Sequence, residues 1–256
     1  MHYHTKHPRV SRTHQQKGFT LLELGLVLGI IAVLVAILLP KGFDALRHAR
    51  IQQVAKTVET AKTAIVNYLS LPGGNGNLPR TEGANIPVTG AGLIAASDEV
   101  KSKAARLDAI LLLTGMLEKP ISVRMGSQVR NSSGEGEELS WNQGSLTFTT
   151  TIGGATSRDW SKVTRLEARS SEQILPSQAQ GANFRLDGLT DLSPNLVVAY
   201  LVIPNCPGKD AYELATILNG SQLAPANSSS ACDTGVVSYA FPTNGVTDVY
   251  IYLTAL

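Results

Sequence analysis

KGFTLLELGLVLGIIAVLVAILLP, Lys17 to Pro40, decides how the rest of this chain is read. From Leu24 to Leu39 it holds sixteen uncharged residues, and Phe19 to Leu22 extend the apolar run at its front. As a helix, Phe19 to Leu39 covers about 30 Å at 1.5 Å per residue, one hydrocarbon core. A conventional signal peptide has a shorter apolar centre that ends in a small-residue cleavage site. Here the centre is longer, and Pro40 and Lys41 lead into a polar helical pattern instead. One residue resists the membrane reading. Glu23 is a carboxylate placed where burial in hydrocarbon costs several kcal/mol.

The flanks orient the span. The first 18 residues carry Lys6, Arg9, Arg12 and Lys17 and no acid, so the formal charge of +2 leaves the remainder at −2. Positive charge before the span and a balanced segment after it place the N-terminus in the cytoplasm and export the rest. A mildly acidic remainder, with charged residues only 16% of the chain, argues against nucleic acid as a partner, which needs clustered Lys and Arg. His2, His4, His7 and His14 also lie in the leader, without the carboxylates or cysteines that would make a metal site of them. The leader reads as a polar cytoplasmic segment. Export puts Cys206 and Cys232 in an oxidising space, where a disulfide between them is expected. It would enclose 25 residues and contribute on the order of 3 kcal/mol, mainly through the unfolded state.

Lys17-Gly18-Phe19-Thr20-Leu21-Leu22-Glu23-Leu24 resembles the N-terminal signature of type IV pilins and type II secretion pseudopilins. In that family a prepilin peptidase cuts after the glycine on the cytoplasmic side, and the new N-terminal residue is N-methylated. The resemblance therefore implies cleavage between Gly18 and Phe19 and methylation of Phe19. Glu23 falls fifth in the mature chain, where the family keeps its glutamate, and Pro40 matches a proline common in the family's helix. The resemblance also implies an answer to the stranded charge. A carboxylate in an apolar setting needs a partner, and cleavage frees a cationic amine on Phe19. Family models pair the glutamate with that amine on a neighbouring subunit, so that the charge sets axial register as a buried polar group does in a coiled coil. A glutamate that merely snorkels at the interface is the plainer alternative.

The helical pattern continues past the membrane. Ile51, Val54, Val58, Ala61, Ile65 and Tyr68 recur at spacings of three and four, one face of an amphipathic helix. One helix is predicted over 19–71, with the transmembrane segment at about 19–40 and a kink or local melting near Pro40 and Gly42. Leu71-Pro72-Gly73-Gly74 ends it. A second helix is expected over about 97–118. Strands are expected at Ile121–Val129, Ser145–Ile152, more weakly at Trp160–Ala168, and at Asn195–Ile203, an apolar run suited to a buried central strand. A short helix fits Tyr212–Leu218. The end of the chain is the clearest β signal: Val236–Phe241, then Pro242-Thr243-Asn244-Gly245, then Val246–Leu253 reads as a hairpin. The fold class is therefore α+β, a long N-terminal helix packed on a C-terminal antiparallel sheet. Three regions follow: a leader over 1–18, the long helix over 19–71, and an exported domain over 72–256.

Catalytic chemistry finds little support in this pattern. Beyond the leader the chain holds only His48, far in sequence from any promising nucleophile, so Ser-His and Cys-His devices are disfavoured. Neither a metal site nor any cofactor is expected. Asp187-Gly188-Leu189-Thr190-Asp191 lacks the alternating acids of a calcium loop and reads as a polar turn. The expected function is a structural subunit, major or minor, of a type IV pilus. Its partners would be other pilin subunits, the prepilin peptidase, the inner-membrane assembly platform and membrane lipid. It would be an inner-membrane protein before assembly and part of a filament afterwards. A type II secretion pseudopilin and a monomeric membrane-anchored binding protein are the alternatives. A disulfide-closed C-terminal loop would favour the pilin over the pseudopilin.

Overall fold

A computed structural model describes residues 20–71, 76–81, 107–125, 138–142, 147–152, 155–157, 164–172 and 183–256, without the side chains of 109, 113 and 138–157. The chain divides into two compact units, Met1–Leu46 and Arg47–Leu256, each described by itself. Helix α1, Leu21–Leu69, runs through both and stays helical across Pro40 and Gly42. Gly18 and Phe19 lie outside the described residues.

In the second unit α1 buries the predicted face. Ile51, Val54, Val58, Ala61 and Ile65 are buried, joined by Ala64, and Tyr68 packs at the margin. They rest on a four-stranded antiparallel sheet of order β4-β5-β7-β6, made of β4 (Arg165–Ser170), β5 (Val197–Pro207), β7 (Val246–Ala255) and β6 (Val237–Tyr239). β5 explains its own apolar run. Alternation sends Ala199, Leu201 and Ile203 into the core shared with α1, while Val198, Tyr200 and Val202 pack under Phe184 on the opposite face. A strand covered on both faces has no polar side to show. Helix α3, Gly208–Asn219, packs on β5, β6 and β7 through Ala211, Leu214 and Ala215. The β6–β7 hairpin is where it was expected, and Asn244 (φ 53°) and Gly245 (φ 80°) supply the left-handed pair that its tight turn needs.

Three expectations need correction or extension. Ile121–Met125 is not a strand: Ile121, Val123 and Met125 alternate into the core as a strand would, but among the described residues the segment joins neither sheet. The second helix, α2, is seen over Leu107–Leu113; 97–106 and 126–129 lie outside the described residues. A separate antiparallel sheet joins β1 (Glu138–Asn142), β2 (Thr147–Ile152) and β3 (Ala155–Ser157), of which only β2 was anticipated. The outer edge of β4 is covered by Thr81, whose N–H donates to the Ala168 carbonyl at 2.7 Å and whose hydroxyl accepts from the Ala168 N–H at 2.9 Å.

On the Phe184 side of the sheet, Glu167 is buried at 5% exposure beside Arg165 and Arg169 on the same face of β4. The Tyr200 hydroxyl donates to it at 2.7 Å from the directly opposite position on β5. Burial pushes the carboxyl pKa up, but Arg165, Arg169 and the Tyr200 hydrogen bond outweigh it and hold the group below the ordinary 4.5. A lowered folded value stabilises the domain above the unfolded value and is lost as pH falls through the folded one. Glu167→Ala should cost about 3 kcal/mol in urea unfolding at neutral pH, since it removes the buried carboxylate that Arg165, Arg169 and the Tyr200 hydroxyl all engage. Unfolding midpoints should also fall as wild type is acidified below about pH 4.5, with a shallower decline in the variant. Parallel declines would show that Glu167 does not carry the acid sensitivity.

Candidate assembly site

The head of α1 is built by its own sequence. Thr20 and Glu23 form a reciprocal capping box: the Thr20 N–H and hydroxyl donate to Glu23 Oε2 at 2.9 and 3.0 Å, and the Glu23 N–H donates to Thr20 Oγ1 at 3.2 Å. The Thr-x-x-Glu spacing that signals such a box is present in the sequence, so Glu23 has a role within its own helix besides any role between subunits. Behind it every large apolar side chain from Leu21 to Leu46 is exposed, among them Leu21, Leu26, Val33 and Leu38. The apolar window has a mean hydropathy of 2.9 and none of it is buried within the chain. One helix is thus long and apolar enough to cross a membrane. A surface of this size on a lone chain is covered by lipid or by other protein.

Where the second unit begins, α1 meets α3 through charge. Arg47 pairs with Asp210 and reaches Glu213 at 3.0 Å, and His48 Nδ1 pairs with Glu213. Asp210 and Glu213 sit three apart on the first turns of α3, so both acids face one side. Sequence spacing shows that α3 carries an acidic face, but not what it meets.

Cys206 and Cys232 stand apart in this structure as free, buried thiols. The sheet gives the reason. Cys206 on β5 opposes Thr247 of β7, whereas Cys232 bridges to Tyr239 of β6, so β7 and β6 lie between them in the ladder. Three strand spacings are about 14 Å, far beyond the roughly 7 Å Cα limit for a bridge. Helix α3 separates them too: Cys206 precedes its first turn, while Asn219 at its last turn donates to Cys232 Sγ at 3.4 Å. Asn219 also bonds the Thr234 and Val237 carbonyls and fills the space where a side chain at Gly235 would go. Burial raises both thiol pKa values, that of Cys232 to about 11. Peptide mapping of the purified protein should therefore find both cysteines unlinked, with maleimide reacting only after denaturation. A linked Cys206–Cys232 peptide would require α3 to sit elsewhere.

The Asp187–Asp191 segment is a polar turn. Asp187 accepts from the Thr190 hydroxyl and from the Leu189 and Thr190 amides, which hold its pKa down to about 2. Arg185 occupies Asp191 at 2.8 Å. Among the described residues no group of three or more His, Cys, Asp or Glu is placed to hold a metal.

A long helix with an apolar, unburied front half and an antiparallel sheet packed on its back half is the layout of a pilin-like protein. Curated proteins carry the likeness further. The chain is 38% identical over 69 residues to the fimbrial protein EcpB of Eikenella corrodens, covering 27% of this chain and 41% of that protein. It is 30% identical over 129 residues to a fimbrial protein of Neisseria meningitidis serogroup B, covering 49% and 64%. It is 31% identical over 88 residues to the type IV major pilin protein PilE1 of Neisseria gonorrhoeae, covering 34% and 48%. The chain thus spans less than two-thirds of each of these relatives. No family model and no solved structure matches it. By these relatives and this layout, the chain is similar to the type IV pilins.

Proposed function

We propose that this chain is a structural subunit of a type IV pilus. Its leader, residues 1–18, stays in the cytoplasm, and prepilin peptidase cuts between Gly18 and Phe19, after which Phe19 is methylated. The segment at about 19–40 holds the subunit in the inner membrane until the assembly platform draws it into a filament, with Pro40 and Gly42 as the place where α1 bends or unwinds to pack. Glu23 meets the Phe19 amine of a neighbour there. The observation that carries the reading is the exposed apolar face of α1 from Leu21 to Leu46, which nothing in the chain covers among the described residues. The subunit role calls for no catalysis, and the relatives named above are fimbrial proteins and pilins.

Those names favour a pilus over a type II secretion pseudopilus. Mass spectrometry of sheared surface filaments tests the proposal. Peptides of this chain beginning at methylated Phe19 are expected. Their absence from filaments, with the chain retained in the membrane fraction of a piliated strain, would overturn it.

A further inference from the structure

We propose that Leu189, at the tip of the Asp187–Asp191 turn, is a knob that inserts into a cleft beside α1 of another copy of this chain and joins neighbouring subunits in the filament. This inference rests on the filament reading above and names two surfaces that meet. Leu189 is 83% exposed, more than any other large apolar side chain described from Arg47 onward. Its turn is braced from several sides. Asp187 accepts from the Leu189 and Thr190 amides at 2.9 and 2.8 Å, and Arg185 holds Asp191 at 2.8 Å and reaches Asp233 at 3.5 Å. The Arg185 carbonyl accepts from the Gly188 and Gly235 N–H groups at 3.0 and 2.7 Å. A side chain held this firmly before its partner arrives loses little freedom on docking.

The cleft belongs to the same unit. A cavity of about 390 Å³ lies between α1 and the segment that follows α2, lined by Thr57 and Thr60 on one side and Met116, Leu117 and Ile121 on the other. The Thr57 and Thr60 hydroxyls donate to the Gln53 and Lys56 carbonyls at 2.9 and 3.1 Å, so their protons are spent inside the helix and the cleft suits an apolar guest. Knob and cleft lie on opposite faces of the sheet. The segment bearing the turn packs through Leu186 and Leu192 on the Phe184 face, whereas α1 packs on the other. Contact between two different surfaces can repeat from copy to copy without closing, as a filament requires. Charge selects a second copy as the guest. The segments that carry the cleft, 50–63 and 114–125, hold Arg50, Lys56, Lys62, Lys119 and Arg124 against Glu59 and Glu118, a net of +3. Those that carry and brace the turn, 183–196 and 220–236, hold Asp187, Asp191 and Asp233 against Arg185, a net of −2. Opposite signs draw one copy's turn to another's cleft and keep turn from meeting turn.

The test uses the full-length chain carrying Leu189→Cys and Ser122→Cys together, since Ser122 lines the cleft and is exposed. Sheared filaments are oxidised with copper phenanthroline and run on a non-reducing gel. A ladder of covalent dimers, trimers and longer species is expected, while each single variant stays monomeric. Dimers from Leu189→Cys alone would mean that turn meets turn, and filaments that contain the double variant without cross-linking would mean that turn and cleft do not meet. Either result overturns the contact. Leu189→Asp should lower the amount in filaments by about tenfold or more, as loss of a buried anchor does, with an unchanged urea midpoint because the side chain faces solvent in the free chain. Leu189→Met keeps an apolar knob and should assemble as wild type does. Equal incorporation of Leu189→Asp, or an equal loss in Leu189→Met, sinks the knob. Wild type missing from the filaments overturns the pilus reading itself, whereas wild type present beside a double variant that gives no ladder overturns this contact alone.

Discussion

Gly18→Val should leave the chain uncut, with residues 1–18 still attached in intact-mass analysis, while wild type loses them and gains one methyl. The peptidase must bring its catalytic groups against the backbone between positions 18 and 19, and glycine alone offers that bond with no side chain on its leading residue. A β-branched valine both fills the approach and stiffens the backbone. The effect is all-or-none in form, since a precursor is either trimmed or not. Folding should be untouched: the Thr20–Glu23 box that starts α1 lies downstream of the cut and forms with the leader in place. Circular dichroism of the two proteins should therefore agree in helix content. Normal trimming of Gly18→Val would remove the peptidase reading, and a wild-type N-terminus beyond Pro40 would indicate conventional secretion. An uncut chain also has no amine on Phe19, so it should be missing from filaments.

Glu23→Ala should insert and be trimmed as wild type is, yet fall by about tenfold or more in sheared filaments relative to the membrane pool, because a neighbour's desolvated amine loses its counter-charge. Two roles of Glu23 have to be separated. In the free chain its carboxylate closes the capping box on Thr20; in the filament it is proposed to meet the Phe19 amine. Glutamine can close the box as glutamate does but carries no charge. Glu23→Gln should thus keep the helix start and still lose incorporation, whereas Thr20→Ala should fray the first turn and keep the charge. If Glu23→Gln assembles as well as wild type, the cap is what matters and the amine pairing is wrong. Equal incorporation of Glu23→Ala would make the carboxylate a tolerated passenger.

The features legible in the sequence are those written in short-range periodicity. The apolar run from Leu24 to Leu39 and the stripe Ile51, Val54, Val58, Ala61, Ile65 announce α1 because a helix brings residues three and four apart to one side. Asn244-Gly245 announces the hairpin because left-handed backbone is cheap for those two residues. Thr20 and Glu23 were equally legible as a cap, since a capping box spans only four positions. Tertiary structure alone decided the rest. Ile121, Val123 and Met125 alternate like a strand, but a strand is made by its ladder, and among the described residues this segment joins neither sheet. Arg47 finds Asp210 across 163 positions of chain, a meeting that depends on how α3 lies over the sheet. The cysteines make the same point. Sequence spacing permits a bridge between Cys206 and Cys232, but strand order places β7 and β6 between them, because a covalent bond answers to distance in space and the ladder sets that distance.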